Sequence, residues 1–144
     1  MKRIMLIGKT GCGKTTLAQR LTGDAIQYRK TQTVSVQGGR ILDTPGEYLE
    51  QRNLYNALIV TSADADVIAF LIDVTDRECG FSPGMAGMFS KPVIGVVTKC
   101  DLCTDSSNRI AASRLLTLAG VKKVFFLGLG CEGDDLNRLI EYLQ

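Results

Sequence analysis

Gly8-Lys9-Thr10-Gly11-Cys12-Gly13-Lys14-Thr15 stands directly after the apolar run Ile4-Met5-Leu6-Ile7 and directly before a helical pattern. The spacing fits G-x-x-x-x-G-K-[ST], and each residue type has a physical reason. Glycines let the backbone curl so that successive N–H groups point inward at phosphate oxygens. The segment Gly8, Lys9, Thr10, Gly11, Cys12, Gly13, Lys14, Thr15 and Thr16 is therefore expected to bind phosphate. Lys14 would reach the β- and γ-phosphates, and the Thr15 hydroxyl would ligate Mg²⁺. A helix opening here adds its positive dipole end to the same anion. By chance the pattern falls in roughly one chain of this length in a few hundred. The expected partner is a nucleoside triphosphate.

The bulk properties narrow the rest. The chain has 144 residues, 45% hydrophobic and 22% charged, with a net charge of +2. That describes an ordinary globule, read as one nucleotide-binding domain over residues 1–144. Basic residues are scattered rather than clustered, so no nucleic-acid partner is expected. No apolar run is long enough to span a membrane. Met1-Lys2-Arg3 leads straight into the first strand and leaves no room for a signal peptide, which points to a cytoplasmic location. With no histidine, His-based acid–base catalysis and His-ligated metal sites are excluded. Five cysteines without a leader read as reduced thiols. Cys100-Asp101-Leu102-Cys103 is formally C-x-x-C, but a zinc site needs two further ligands at matching spacing. Cys12 reads as a plain small filler residue. The alternative is that backbone N–H groups beside it lower its pKa and make it oxidisable, so that oxidation blocks phosphate binding.

Apolar runs alternate with helical patterns along the chain, the signature of a parallel α/β sheet. Strands are expected over residues 2–7, 33–36, 40–42, 67–73, 93–98 and 124–127. Gly38-Gly39 reads as a hairpin turn, which makes one strand antiparallel. Helices are expected over 15–21, within 48–63, over 109–119 and over 134–143. The fold class is thus a three-layer α/β domain, a mostly parallel sheet with helices on both faces. Residues 75–91 break the alternation, because three glycines and Pro83 oppose a stable helix. Either the loop has eroded with Met and Phe packed on the core, or these side chains form a docking surface.

Three further elements fall where strands should end. Asp43-Thr44-Pro45-Gly46 follows the third strand; Asp43 is placed to hold a Mg²⁺-bound water, and Gly46 to offer its N–H to the γ-phosphate. Thr98-Lys99-Cys100-Asp101 follows the fifth. There Asp101 would accept hydrogen bonds from N1–H and the 2-amino group of guanine, with the Lys99 stem covering the ring. Adenine offers no such donors, and an unpaired buried carboxylate is costly, so GTP is favoured over ATP. Between loop and DTPG, Thr31 is the candidate to complete the Mg²⁺ shell, with Thr33 as the alternative.

With these residues in place, the chain resembles the translation-factor branch of P-loop GTPases and, more narrowly, the EutP/PduV family. The likeness rests on the glycine-rich loop, Arg29-Lys30-Thr31-Gln32, Asp43-Thr44-Pro45-Gly46-Glu47-Tyr48 with Leu54-Tyr55-Asn56-Ala57-Leu58, Phe81-Ser82-Pro83-Gly84 and the 92–99 strand. The resemblance implies a Ras-like P-loop NTPase fold. It also implies a role in ethanolamine or propanediol utilisation with a bacterial microcompartment, whose shell or enzyme proteins become candidate partners. Two departures stand out. Glu47 occupies the position of the water-orienting glutamine of many regulatory GTPases. Gly128 and Leu129 stand where GTPases place Ser-Ala behind the guanine, and offer backbone N–H groups without a hydroxyl.

Three functions remain open. The first is a slow Mg²⁺-dependent GTPase switch, cycling GTP to GDP, with Lys14, Thr31, Gly46 and Glu47 as its catalytic set. The second, implied by the resemblance, is an ATP-dependent acetate kinase that forms acetyl phosphate. The third is a non-catalytic, nucleotide-gated docking module that uses residues 81–89.

Overall fold

Ile4, Met5, Leu6 and Ile7 have no solvent-exposed side chain between them. A strand buried on both faces needs apolar residues at every position, because successive side chains point to opposite faces. The run forms β1 (Ile4–Ile7). Around it lie β2 (Ser35–Gln37), β3 (Ile41–Asp43), β4 (Val67–Asp73), β5 (Val93–Thr98) and β6 (Val124–Phe126). This computed structural model describes residues 2–9, 11–22, 35–37, 41–44, 46, 49, 51–76, 80–102, 106–128 and 135–144. Among them the strands form one sheet in the order β2-β3-β1-β4-β5-β6. β1 runs parallel to β3 and β4, β4 to β5, and β5 to β6. β2 pairs antiparallel with β3, Val36 opposite Leu42. The Gly38-Gly39 turn lies outside the described residues.

Four α-helices are described: α1 (Lys14–Thr22), α2 (Tyr55–Ser62), α3 (Ser106–Leu118) and α4 (Leu136–Leu143). The period of two in each strand sorts the core into two clusters, one on each face of the sheet. Met5, Ile7, Phe70 and Val97 pack with Leu58 of α2 and Leu116 of α3. Ile4, Leu6, Leu71 and Val96 pack with Leu17 of α1 and Leu139 of α4. The result is three layers, with α1 and α4 on one side and α2 and α3 on the other.

Boundaries shift where tertiary contacts override local pattern. The helix expected within 48–63 is a 3-10 turn, Arg52–Leu54, leading into α2. The last helix starts at Leu136 rather than at residue 134. Asp135 is tied to the sheet edge, since its Oδ2 accepts from Phe126 N at 2.9 Å and its N–H donates to Phe126 O at 2.8 Å.

The segment after β4 resolves one alternative. It contains a 3-10 turn, Met85–Met88, entered through Gly84 at φ 73°. Phe81 stacks on Phe70 at 4.2 Å and 8°, and Phe89 meets the same ring edge-on at 5.9 Å and 72°. Phe81, Met85 and Phe89 are all buried, so they cannot form the docking surface considered from sequence; of the two methionines and two phenylalanines, Met88 is the exposed one. The turn is fastened to the end of α3 by Gly84 N to Leu118 O at 3.0 Å and Ala86 N to Ala119 O at 2.8 Å. A helix is unnecessary there because aromatic packing supplies the cover.

Phe70 holds both rings and lies between β1 and β5. Phe70→Ala is expected to lower unfolding free energy by about 3–5 kcal/mol, measurable as a shift of the urea midpoint at unchanged slope.

Candidate functional site

β1 stands at the point where the sheet's order reverses, with β3 on one side and β4 on the other. Chain leaving the carboxyl ends of β1, β3, β4 and β5 therefore meets around one crevice. Gly8 opens that crevice. A Cβ there would run into the Cys12 sulfur and come within 3.0 Å of Leu71 O. Gly11 and Gly13 have φ of 82° and 100°, a region that side chains disfavour. Between these three glycines the loop folds tightly enough for Cys12 N to donate to Lys9 O at 3.1 Å.

Lys14, in the first turn of α1, doubles back over the loop. Its Nζ donates to Gly8 O at 3.0 Å and Lys9 O at 3.1 Å, and the Cys12 sulfur lies 3.9 Å away. The residue is only 6% exposed. Two carbonyl dipoles hold the ammonium in place, and among the described residues it forms no ion pair. A buried cation held by carbonyls alone carries an uncompensated charge toward the crevice.

Asp43 ends β3 with no exposed surface, and Thr15 Oγ1 donates to its Oδ2 at 3.3 Å. Next to it Thr44 is also fully buried, with its hydroxyl donating to Leu6 O at 2.7 Å. That bond holds the end of β3 against β1. A buried carboxylate beside a hydroxyl is a hard oxygen donor set, which fits Mg²⁺ with waters retained. Gly46 is buried in the turn that follows, and its carbonyl accepts from Leu49 N at 3.1 Å.

β5 delivers the third part. Thr98 Oγ1 lies within hydrogen-bond reach of Cys12 O and of Ile72 O. Lys99 has φ 59°, and this left-handed turn sends its ammonium back to Gly11 O and to Asp73 Oδ2, the latter at 3.2 Å. Asp73 Oδ1 in turn accepts from Thr75 N at 2.9 Å and Thr75 Oγ1 at 2.8 Å. Burial alone would push the Asp73 carboxyl up; the two Thr75 donors and the Lys99 charge outweigh it and bring the pKa below the usual value.

Between loop, α1 and β5 lies a cavity of about 260 Å³, lined by Gly13, Thr16, Leu17, Arg20, Thr98, Lys99, Asp101, Leu127 and Gly128. Gly128 is required there by proximity, since a Cβ would come within 2.6 Å of Asp101 N. Cys100 N also donates to Leu127 O at 2.9 Å, so the 100–101 turn and the 127–128 chain are locked together.

The structure thus brings together Gly8, Cys12, Gly13, Lys14, Thr15, Thr16, Asp43, Thr98, Lys99, Asp101 and Gly128. Lys9 is turned aside, with its Nζ 3.5 Å from Asp76 Oδ2. Thr10, Thr31, Thr33, Glu47 and Leu129 lie outside the described residues. For Cys12 the filler reading holds, and the alternative of an activated thiol does not. Burial pushes its thiol up, and the nearby Lys14 and Lys99 charges offset only part of that. At 5% exposure it fills space under the loop and is not the activated thiol its neighbours suggested. Asp73, Thr75, Thr44 and Arg20 escaped the sequence reading. Asp73 closes the apolar run VIAFLID as Asp43 closes ILD, so the same signal would have found it.

Comparison with known proteins sets this geometry in a lineage. The family model described as ethanolamine utilisation - propanediol utilisation, PduV-EutP, matches residues 1–144. The propanediol utilization protein PduV of Citrobacter freundii is 48% identical over 126 residues, 88% of this chain and 83% of that protein. The probable acetate kinase EutP of Escherichia coli K12 is 33% identical over 144 residues, 99% of this chain and 89% of that protein. Among solved structures, Era in complex with MgGDPNP and 16S ribosomal RNA nucleotides superposes with a TM-score of 0.68 at 21% identity. The match covers 98% of this chain and 55% of that one. The fold is therefore the α/β fold of the P-loop GTPases.

Asp73's depressed pKa has a pH consequence. Its contribution to stability is fully present above the ordinary carboxylate range and is lost as pH falls through its folded value. Thr75→Ala removes the hydroxyl donor while leaving the backbone N–H, and moves that titration upward, readable as the Asp73 carboxyl NMR shift against pH. Gly128→Ala is expected to destabilise by about 1–3 kcal/mol, checked by thermal unfolding.

Proposed function

The chain belongs to the PduV-EutP family, and from that premise we propose that it binds a Mg²⁺–nucleoside triphosphate and hydrolyses GTP slowly. The observation that carries this reading is the Lys14 ammonium, buried over the glycine-rich loop with only carbonyl oxygens and a thiol around it. A triphosphate tail is the partner that such a cation and the loop's N–H groups select. Thr15 and Asp43 would hold the Mg²⁺, which supplies charge neutralisation at the β- and γ-oxygens. Thr31 completes that shell in this proposal, and the Gly46 N–H binds the γ-phosphate. The loops carrying Thr31 and Gly46 then respond to whether that phosphate is present.

Base choice rests on the cavity beside Lys99. Asp101 lines it but is exposed, so the cost of an unpaired buried carboxylate does not separate GTP from ATP here; in this proposal Asp101 selects guanine by accepting from its N1–H and 2-amino donors. Gly128 lines the same cavity, and this proposal assigns base contacts to the backbone N–H groups of Gly128 and Leu129. Glu47 in place of glutamine puts a second negative charge near the γ-phosphate. Turnover without an activator is then on the order of 10⁻⁴–10⁻² s⁻¹. The higher identity to the propanediol utilization protein, 48% against 33% for EutP, favours propanediol utilisation as the setting. There a microcompartment shell or enzyme protein would be the partner.

A second reading is phosphoryl transfer from ATP to acetate, the activity named for the EutP relatives. Lys9 favours it, since it is a second loop cation, 31% exposed, whose contact to Asp76 is long at 3.5 Å. A surface pair of this kind is weak, so its ammonium could turn to a substrate carboxylate. In that reaction a carboxylate oxygen attacks the γ-phosphorus and the bond to the ADP oxygen breaks.

Purified protein with Mg²⁺ and either GTP or ATP, with and without acetate, separates the readings. Release of inorganic phosphate from GTP with no acetyl phosphate is expected; acetyl phosphate from ATP would establish the second reading instead. Lys14→Ala should weaken triphosphate binding by at least about tenfold, measured by titration calorimetry, and unchanged affinity would remove the basis of both.

A further inference from the structure

A second concave region lies at the opposite end of the sheet, where β5 and β6 begin. It is a cavity of about 410 Å³ whose floor is formed by Ala86, Pro92, Val93 and Ile94. Its rim carries Lys91, Lys122, Lys123 and Tyr142. Lys123 Nζ sits 5.0 Å from the centroid of the Tyr142 ring, and Lys2 Nζ sits 5.1 Å from the same ring. Lys2 thereby joins the rim, held also by its N–H donating to Leu143 O at 2.6 Å. Among the described residues none of these four ammonium groups forms an ion pair. Four like charges around one mouth repel one another, which an anionic partner would relieve. The chain's net charge is only +2, and four of its lysines gather at this one mouth.

Two exposed apolar residues are close in sequence to the cavity wall. Met88 follows Gly87 of the cavity wall and is 36% exposed; Leu118 lies two residues before Gly120 of that wall and is 63% exposed. An apolar floor edged by lysines that form no ion pair among the described residues matches the anatomy of a protein interface with a hydrophobic centre and charged rim.

The main chain argues against a phosphate ligand. A phosphate site presents free N–H groups that converge on the anion. Here Gly87 N donates to Gly84 O, Ala86 N to Ala119 O, Gly120 N to Thr117 O and Val121 N to Leu116 O. Those amides are used up within the fold. What remains for an anion is lysine heads on flexible stems around a wide mouth, which suits separate carboxylates better than one compact oxyanion.

We propose that this end of the molecule is a docking surface for an acidic segment of a partner protein, which inserts one apolar side chain into the cavity while its carboxylates meet Lys2, Lys91, Lys122 and Lys123. Because the cavity lies at the far end of the strands from the glycine-rich loop, partner and nucleotide can be bound together. The proposal stands independently of which nucleotide reaction the loop performs.

The test uses the full chain and a labelled synthetic peptide of glutamates flanking a single leucine, followed by fluorescence anisotropy and by amide NMR shifts. The expected result is saturable binding that moves the amides of Gly87, Val93 and Gly120 and leaves Gly11 and Gly13 unmoved. Lys91→Glu with Lys122→Glu should weaken it by about tenfold or more, while Arg114→Glu, an exposed charge on α3, should not. All three positions are on the surface, and the amide spectrum of each variant reports directly that it is folded. Replacing the peptide's leucine with serine should weaken binding as well. The proposal is overturned if the peptide does not bind, if the lysine variants bind it as tightly as the parent, or if the serine peptide binds equally well. It is also overturned if inorganic phosphate alone moves the same three amides to the same extent.

Discussion

One buried ammonium organises the carboxyl end of this sheet. Lys14 can fold back onto the carbonyls of Gly8 and Lys9 only because the loop between them is tight. That tightness depends on Gly8 lacking a Cβ that would strike Cys12 and Leu71. A longer or looser connection would leave the carbonyls pointing elsewhere and the lysine solvated. The constraint runs from chain geometry to electrostatics. Glycines close the loop, the loop buries the cation, and the buried cation gives the crevice its positive charge.

The other loops are fastened to this one by specific bonds, so the site is a connected object. Thr98 reaches Cys12 O, and Lys99 bridges Gly11 O to Asp73. Thr44 ties β3 to β1 through Leu6 O. On the far side the 127–128 chain closes on the 100–101 turn, a contact that only glycine at 128 permits. A shift in the glycine-rich loop would therefore be felt both at the cavity beside Asp101 and at the carboxylate of Asp43. These links are hydrogen bonds and close contacts of the main chain, which transmit displacement because packed structure resists continuous deformation.

The two ends of the sheet have opposite chemistry. At the carboxyl ends of the strands, a cation and N–H groups face a crevice shaped by glycine. At the amino ends of β5 and β6, main-chain donors are spent inside the fold, and side-chain lysines supply the charge. The aromatic trio of Phe70, Phe81 and Phe89 sits between these regions and replaces a crossover helix with packed rings. Residues 80–89 look like a surface loop by composition, yet Phe81, Met85 and Phe89 belong to the core.

Much of the nucleotide crevice was legible because its chemistry is local. G-x-x-x-x-G-K-[ST] encodes loop, cation and hydroxyl within eight consecutive residues, and apolar runs ending in Asp43 or in Thr98-Lys99 mark where strands deliver side chains. Continuous apolar runs, alternating with helical patterns, were enough to specify a parallel sheet with helices on both faces. What pattern could not reach depends on residues distant in sequence meeting in space. The rise in the Cys12 pKa comes from burial under the loop, which outweighs the neighbouring charges. The start of α4 at Leu136 comes from Asp135 bonding an edge strand nine residues earlier. The lysines at the amino ends are scattered from residue 2 to residue 123 and become a cluster only when the sheet aligns them. Sequence alone determined the loop, its cation and the class of fold, since neighbours along the chain fix these. Tertiary structure alone decided which thiols and rings are buried and which charges gather, because burial and proximity belong to the folded sheet.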